Sequence, residues 1–366
     1  MIVKNEAPVI ARCLASVRPL IDHWVIVDTG STDGTQDLIR EQLKDLPGTL
    51  YERPWKDFAH NRSESLRLAR PHADFSLIID ADDTLEFPHG HELPFLTFDC
   101  YTLDIHDTPL RYPRKQLVSN RLHWFYQGVL HEFINSTEPH TVGELSIIMR
   151  RNHDGARRRT ADTYARDAAI LSKALKTEQD PLMRSRYTFY LAQSYRDCRQ
   201  PQEALKYYLQ RAELGGWEEE VYVSWLQAAR LKEQLGAAED EILDSYLAAD
   251  RVSTTRVEAL YGAARLCRVK GRYAQGYEVA RRGLGRTFPA GSLFGEPWVY
   301  EVGLLDEFAI CAYWTGRHGE CLDACLKALD TGRLSGDELH RVVSNAQFAL
   351  KHLTGELNLV PMASSI

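Results

Sequence analysis

Short apolar runs alternate with helical periodicity up to about residue 155, and then the alternation stops. The runs "IV" at the start, "WVIV" (24–27), "TLYERP" (49–54) and "SLII" (76–79) have the length and composition of strands. Between them Ile10, Leu14 and Val17 share one helix face, and Leu38, Ile39, Leu43 and Leu46 share another. A third helix carries Leu66, Leu68 and Ala69 and is expected to end before Pro71. Strands alternating with helices predict an α/β, Rossmann-like domain with a mostly parallel, doubly wound sheet.

After about residue 158 the spacing suggests helices alone, and it repeats. "YLAQSY" (190–195), "LQAARL" (226–231), "YGAARL" (261–266) and "AICAYW" (309–314) occupy equivalent places, each followed by a turn and a second amphipathic helix. Ala192 and Ala228 are 36 residues apart, and Ala228 and Ala263 are 35 apart. The tetratricopeptide period is about 34, with small residues where paired helices touch. The third interval is lengthened by "TFPAGSLFGEPWVYEVG" (287–303). The expected division is residues 1–157 for the α/β domain and 158–366 for an all-α, tetratricopeptide-like repeat domain. Such arrays offer a long concave surface and usually bind a partner.

Composition narrows the function classes. A net charge of -7 provides no general drive toward nucleic acid or anionic membrane. Seven cysteines are scattered without a CxxC pair, which argues against a disulfide framework or a zinc site. No leader pattern and no apolar run of about 18 residues is seen, so neither a signal peptide nor a membrane span is expected, and the cytoplasm is the expected location.

The chemistry concentrates in "SLIIDADDTL" (76–85). In a doubly wound sheet ligands sit at the carboxyl ends of strands, which is where Asp80, Asp82 and Asp83 are expected. Carboxylates packed this closely repel one another unless a cation lies between them, and Mg2+ or Mn2+ takes one or two carboxylates plus water and phosphate. The same pattern also fits the loading strand of a haloacid-dehalogenase phosphatase. There, however, the strand opens the domain, whereas here it is about the fourth strand, and Lys115 is the only Lys between Asp83 and Lys173. Upstream, "VIVDTGSTDGT" (25–35) places Asp28 at a strand end, able to accept hydrogen bonds from uracil or ribose. "DFAHNRSESL" (57–66) puts Arg62 near a helix start, where a diphosphate is welcome.

"VKNE" (3–6), "VIVDTGSTDGT", "FAHNRS" and "IIDADD", in this order and spacing, resemble the family 2 GT-A glycosyltransferases. The resemblance covers residues 1 to about 155, and the repeat half is similar to tetratricopeptide regions fused to such enzymes, including those that glycosylate cysteine in glycocin peptides. It implies a hexosyltransferase-class enzyme with nucleotide-sugar contacts at Lys4, Asn5, Glu6, Asp28, Arg62, Asp80 and His131. Asp80 and Asp82 are implied at the ribose and the metal, with Mn2+ or Mg2+ as cofactor. Thr29 departs from the pattern, since many relatives carry a second Asp there.

"HWFYQGVLHEF" (123–133) contains the Gly-x-x-His-Glu segment that borders the acceptor site in this family. A zinc-protease reading fails because Asn135 stands where a second His is needed. Glu132 is the candidate base for the acceptor's proton and Asp83 the second candidate, while an ion pair with an Arg is the structural alternative for Glu132. In "RRNHDGARRR" (150–159) His153 fits a last metal ligand, and Arg150, Arg151, Arg157, Arg158 and Arg159 could face the leaving diphosphate. The combined expectation is a metal-dependent transferase moving sugar from a UDP-sugar to a peptide, protein or glycan, with inversion implied by the resemblance alone. A homodimer through the helical half is left open. The alternative is a GT-A scaffold without catalysis whose repeats recruit a protein.

Overall fold

The computed structural model describes residues 1–108, 110–156 and 162–355. Arg157, Arg158, Arg159 and the expected boundary at 157/158 lie outside the described residues. The chain forms two compact units, Met1–Met183 and Arg184–Ile366.

The first unit opens with β1 (Ile2–Val3), α1 (Ile10–Val17), β2 (Trp24–Asp28), α2 (Thr35–Gln42), β3 (Gly48–Glu52) and α3 (Phe58–Ala69). Strands β1, β2 and β3 form a parallel sheet in that order, the pairing expected when helices connect successive strands. The apolar face of α1 buries Ile10, Cys13, Leu14 and Val17, and Ile39 of α2 with the following Leu43 is fully buried. Val3, Ile26 and Ala81 join Ile10, Leu14, Ile39 and Leu43 in one core, while Cys13 and Val17 pack into a second with Leu85 and Ile105. Each such aliphatic side chain contributes about 1.5–3 kcal/mol through burial.

The chain continues through β4 (Phe75–Leu77), β5 (Thr84–Glu86), β6 (Cys100–Asp107), β7 (Leu110–Ser119), β8 (Trp124–Gln127), β9 (Phe133–Ser136) and β10 (Val142–Arg150), then α4 (Thr163–Leu175). Five of these strands make a mixed sheet in the order β4-β7-β6-β10-β5, in which only β6 and β10 run parallel. The strands β8 and β9 form a hairpin of their own. So "SLII" does enter a sheet, but one built from later strands. Strand β10 shows its half-buried nature plainly, with Gly143, Leu145, Ile147 and Met149 turned inward alternately.

The second unit is helical: α5 (Pro181–Asp197), which begins at the end of the first unit, is followed by α6 (Pro201–Glu213), α7 (Glu218–Leu235), α8 (Glu239–Val252), α9 (Glu258–Val269), α10 (Tyr273–Arg281), α11 (Leu304–Trp314), α12 (His318–Asp330) and α13 (Gly336–Thr354). Helices α5, α7, α9 and α11 end the same way. A residue with left-handed backbone (Arg199, Gly236, Gly271, Gly316) is followed by an N–H that donates to a carbonyl five residues back. This Schellman turn satisfies the last carbonyls of a helix and reverses the chain. Small residues line the helix contacts as expected: Ala192, Ala204, Ala228, Ala263, Ala312 and Ala328 are fully buried. Tyr195 stacks on Tyr207, and Trp314 stacks on Tyr273, so these rings pack between helices.

The 287–303 insertion is held by a buried charge. Arg256, with no exposed surface, bonds Glu258 at 2.8 Å, Glu219 at 2.7 Å and the Leu293 carbonyl at 2.9 Å. Glu258 in turn accepts from Tyr222, Tyr300 and the Glu296 N–H. Removing one member of such a network strands the others without water. Arg256→Ala is therefore expected to lower stability by about 3–5 kcal/mol, checked by urea unfolding of the full chain. A loss below about 1 kcal/mol would contradict this account of the insertion.

Candidate functional site

The loop after β1 and the turn after β2 are buttoned together at the carboxyl ends of their strands. Asn5 adopts a left-handed backbone, its N–H donates to Ser31 Oγ at 2.9 Å, and its Oδ1 accepts from the Thr32 N–H at 2.8 Å. The Glu6 N–H donates to Thr35 Oγ1 at 2.9 Å, while Lys4 is exposed. Asp28 is 1% exposed, and its Oδ1 accepts from the N–H groups of Gly30 and Ser31 at 2.8 and 2.9 Å. Its Oδ2 is buried without a hydrogen-bond partner among the described residues. A buried acceptor left unmatched costs about 1–3 kcal/mol, so it marks a place for a donor group. Thr29 donates its hydroxyl to the Val3 carbonyl, a structural use for the position that departs from the family pattern.

Arg62 brings two regions of the chain together. Its Nη2 donates to Asp80 Oδ1 at 2.6 Å, and its Nε lies 2.8 Å from Glu132 Oε1. Tyr126 lies against the same guanidinium, 5.5 Å from ring centre to Cζ. Burial opposes the charge on Arg62, but Asp80 and Glu132 outweigh it and raise its pKa. Burial likewise opposes the Asp80 carboxylate, yet Arg62, Arg114 and Arg151 hold its pKa well below the ordinary value. The ion pair proposed from sequence as the structural alternative for Glu132 is thus present. His131 beside it is exposed, with left-handed backbone.

Asp83 closes the turn by donating its N–H to the Asp80 carbonyl, and its side chain is 1% exposed. Arg114 of β7 and Arg151 after β10 stand 3.9 Å from its two oxygens. Burial, then repulsion from Asp80, pushes its pKa up to about 7 despite these arginines. Asp82 is half-buried, and among the described residues its carboxylate accepts one N–H, from Gly155 at 3.3 Å. A Cβ at position 155 would lie 2.8 Å from Asp82 Oδ2, so a larger residue there would push the carboxylate aside. Arg12 ties the same segment down: it grips Asp154 at 2.6 and 2.9 Å and donates to the Asp82 carbonyl at 3.1 Å. The Ala156 N–H reaches the Glu6 carboxylate at 3.1 Å.

His153 does not join Asp80 and Asp82 in this structure. Its Nε2 pairs closely with Asp107 at the end of β6, and Arg151 lies 3.5 Å from the same carboxylate. Arg150 pairs with Glu86 on β5. Among the described residues no group of three or more His, Cys, Asp or Glu side chains is arranged to hold a metal ion. Asp82 nonetheless fits a hard divalent ion that draws most of its ligands from water and phosphate, because among the described residues no arginine hydrogen-bonds its carboxylate. Arg12, Arg114 and Asp107 are site neighbours for which no local spacing gave a reason. A cavity of about 230 Å3 between α3 and β8, lined by His60, Ser63, Arg67, Asn120, Trp124 and Phe125 among others, contains none of the candidates.

Residues 1–89 match the model of Glycosyl transferase family 2. An uncharacterized glycosyltransferase of Rickettsia felis is 33% identical over 123 residues, which is 33% of this chain and 39% of that protein. The SPbeta prophage-derived glycosyltransferase SunS of Bacillus subtilis is 29% identical over 107 residues, 27% of this chain and 25% of that protein. The TPR repeat-containing protein Synpcc7942_0270 of Synechococcus elongatus is 36% identical over 86 residues, 23% of this chain and 20% of that protein. The chain thus spans about a fifth to two fifths of the length of these relatives. The chain carries a family 2 glycosyltransferase domain followed by a tetratricopeptide-like helical domain. No helix among the described residues is long and apolar enough to cross a membrane.

The raised pKa of Asp83 makes a signed prediction. Its folded value of about 7 lies above the ordinary value of about 4, so the fold favours the protonated form. The resulting stabilisation is complete below about pH 4 and is lost as pH rises through about 7. Asp83→Asn cannot lose a proton, so relative to wild type it is expected to gain stability steadily between pH 4 and 8 in urea unfolding. A difference that stays flat across this window would contradict the assignment.

Proposed function

We propose that this chain is a metal-dependent glycosyltransferase that moves a sugar from a UDP-sugar to a peptide, protein or glycan selected by the helical half, with inversion at the sugar. The observations that carry this reading are Asp28 at the carboxyl end of β2, with its unmatched buried oxygen, and the Arg62–Asp80 pair beside Asp82 after β4, where Ala81 packs into the same core as Val3 and Ile26. Asp28 offers its free oxygen to an N–H or hydroxyl of the nucleoside. Asn5 and Glu6 hold the turn that follows Asp28, and Asp80 is kept charged to receive ribose or sugar hydroxyls. Asp82 would hold Mn2+ or Mg2+ together with the donor's phosphates. That ion would supply positive charge against the leaving diphosphate, where such stabilisation matters most. Arg62, Arg114 and Arg151 add fixed charge around the same carboxylates.

Glu132 is the proposed proton acceptor for the attacking group. Its link to Arg62 fixes its position relative to Asp80, so donor and acceptor sides share one guanidinium. Positioning of this kind removes much of the entropy barrier to transfer. Asp83, less exposed and with a raised pKa, is the second candidate.

Two substitutions test the reading in one series. Asp82→Ala is expected to abolish the manganese dependence of UDP binding without shifting the apo melting temperature. Glu132→Gln is expected to keep UDP affinity and lower turnover about 100-fold or more. Manganese-dependent UDP binding in the first variant would refute the metal assignment, and unchanged turnover at saturating acceptor in the second would point to Asp83 as the base or to a non-inverting mechanism. If the acceptor is a thiol, with an ordinary pKa of about 8.5, the loss in the second variant should be smaller.

A further inference from the structure

The motif "FAHNRS" contains a residue whose purpose is not explained by phosphate or metal. Asn61 has no exposed surface, yet it makes no contact with the acidic cluster. Its Nδ2 donates to the Pro54 carbonyl at 3.1 Å, and its Oδ1 accepts from the Lys56 N–H at 3.0 Å. Both chain neighbours of Trp55 are therefore clamped by one buried amide. Trp55 itself is 42% exposed, with Phe58 set edge-on to its ring at 4.7 Å and 81°. Single exposed apolar residues are ordinary on protein surfaces. An exposed indole on a loop fixed from the core is different, because a polar residue there would satisfy the fold equally well.

The place of this loop identifies what the ring meets. Strand β3 pairs with β2 so that Glu52 lies opposite Asp28, and the Arg53 N–H donates to the Asp28 carbonyl at 2.9 Å. Trp55 follows two residues later, on the same carboxyl edge as the unmatched Asp28 oxygen. Phe58 begins α3, and Arg62 stands about one turn further along, roughly 6 Å by helical rise. The β2–β3 pairing thus puts an aromatic face three residues past the end of the strand that runs beside Asp28, and seven residues before the guanidinium held by Asp80 and Glu132. A nucleoside diphosphate presents a flat base, base N–H groups and a diphosphate, the three kinds of group that these residues recognise.

We propose that Trp55 is the stacking platform for the nucleobase of the donor, held in register by Asn61 and working with Asp28, which accepts from the base edge. This rests on the nucleotide-sugar reading above and adds the residue that gives base affinity. Stacking on an aromatic ring tolerates any base, so Trp55 supplies strength and Asp28 supplies choice among bases.

The test is a calorimetric titration of the full chain with UDP, and separately with inorganic pyrophosphate, in manganese. Trp55→Ala is expected to weaken UDP binding about tenfold or more and leave pyrophosphate binding unchanged. Trp55→Phe, which keeps an aromatic face, should retain most of the UDP affinity. Wild-type UDP affinity in Trp55→Ala would overturn the inference while leaving the donor reading in place. Equal loss of UDP and pyrophosphate would also overturn it, since the residue would then act through the diphosphate site. A wild-type chain that binds no UDP would overturn both.

Discussion

The guanidinium of Arg62 lies between the carboxylates of Asp80 and Glu132, at 2.6 and 2.8 Å, with only 14% of its side chain exposed. Three separate parts of the fold depend on this sharing: helix α3, the turn after β4 and the loop of the β8–β9 hairpin. Without the cation, two half-buried carboxylates would lack their common partner, and in so little solvent the repulsion would open the site. The hairpin has a second tie to the same helix, since Ser63 Oγ accepts from the Tyr126 N–H at 2.8 Å. A buried pair of this kind is a poor source of net stability, because desolvation takes back most of the Coulomb gain. What it provides is position. It sets the distance between the group that would touch the donor and the group that would take the acceptor's proton.

Around this bridge the remaining charges are unequal in a useful way. Asp80, beside Arg62, stays ionised, whereas Asp83, deeper and with its arginines at 3.9 Å, is pushed toward neutrality. Asp82 between them has no arginine hydrogen-bonded to its carboxylate among the described residues, and it is the carboxylate proposed to take a hard cation. Neighbouring carboxylates are thus differentiated by their surroundings, which is how one acidic motif can serve binding and proton transfer together. The segment 152–156 closes over this cluster through Arg12, Asn152 and Gly155, so the end of the first domain's sheet is structurally part of the site.

Much of this was legible in the sequence where the determinants are local. Period 3.6 located the buried face of α1 and Ile39 of α2, although Leu43 and Leu46 lie past the end of α2; the recurring alanines located the helix pairs, and the strand-then-acid pattern put Asp28 and Asp80 at strand ends. The mixed sheet was not anticipated, although β10 alternates clearly, because pairing partners are chosen by contacts distant in sequence. Arg114 comes within reach of Asp83 while β7 pairs with β4, where Leu77 faces Leu117, and no local spacing reports that. His153 shows the same limit. Its place beside the site could be inferred, but Asp107 from the far end of β6 decides where its ring goes. In the helical half, Arg256 and Glu258 read as surface charges from their types and prove fully buried, because the 287–303 insertion covers them.

The central claim is that the carboxylates gathered by Arg62 form a donor site for nucleotide sugars. The most direct measurement is release of free UDP from a panel of UDP-sugars by the full chain, without acceptor, in the presence of manganese and then of a chelator. The account predicts slow, manganese-dependent UDP release from at least one donor, abolished by the chelator. Absence of release from every UDP-sugar, or release at the same rate in chelator, would contradict it.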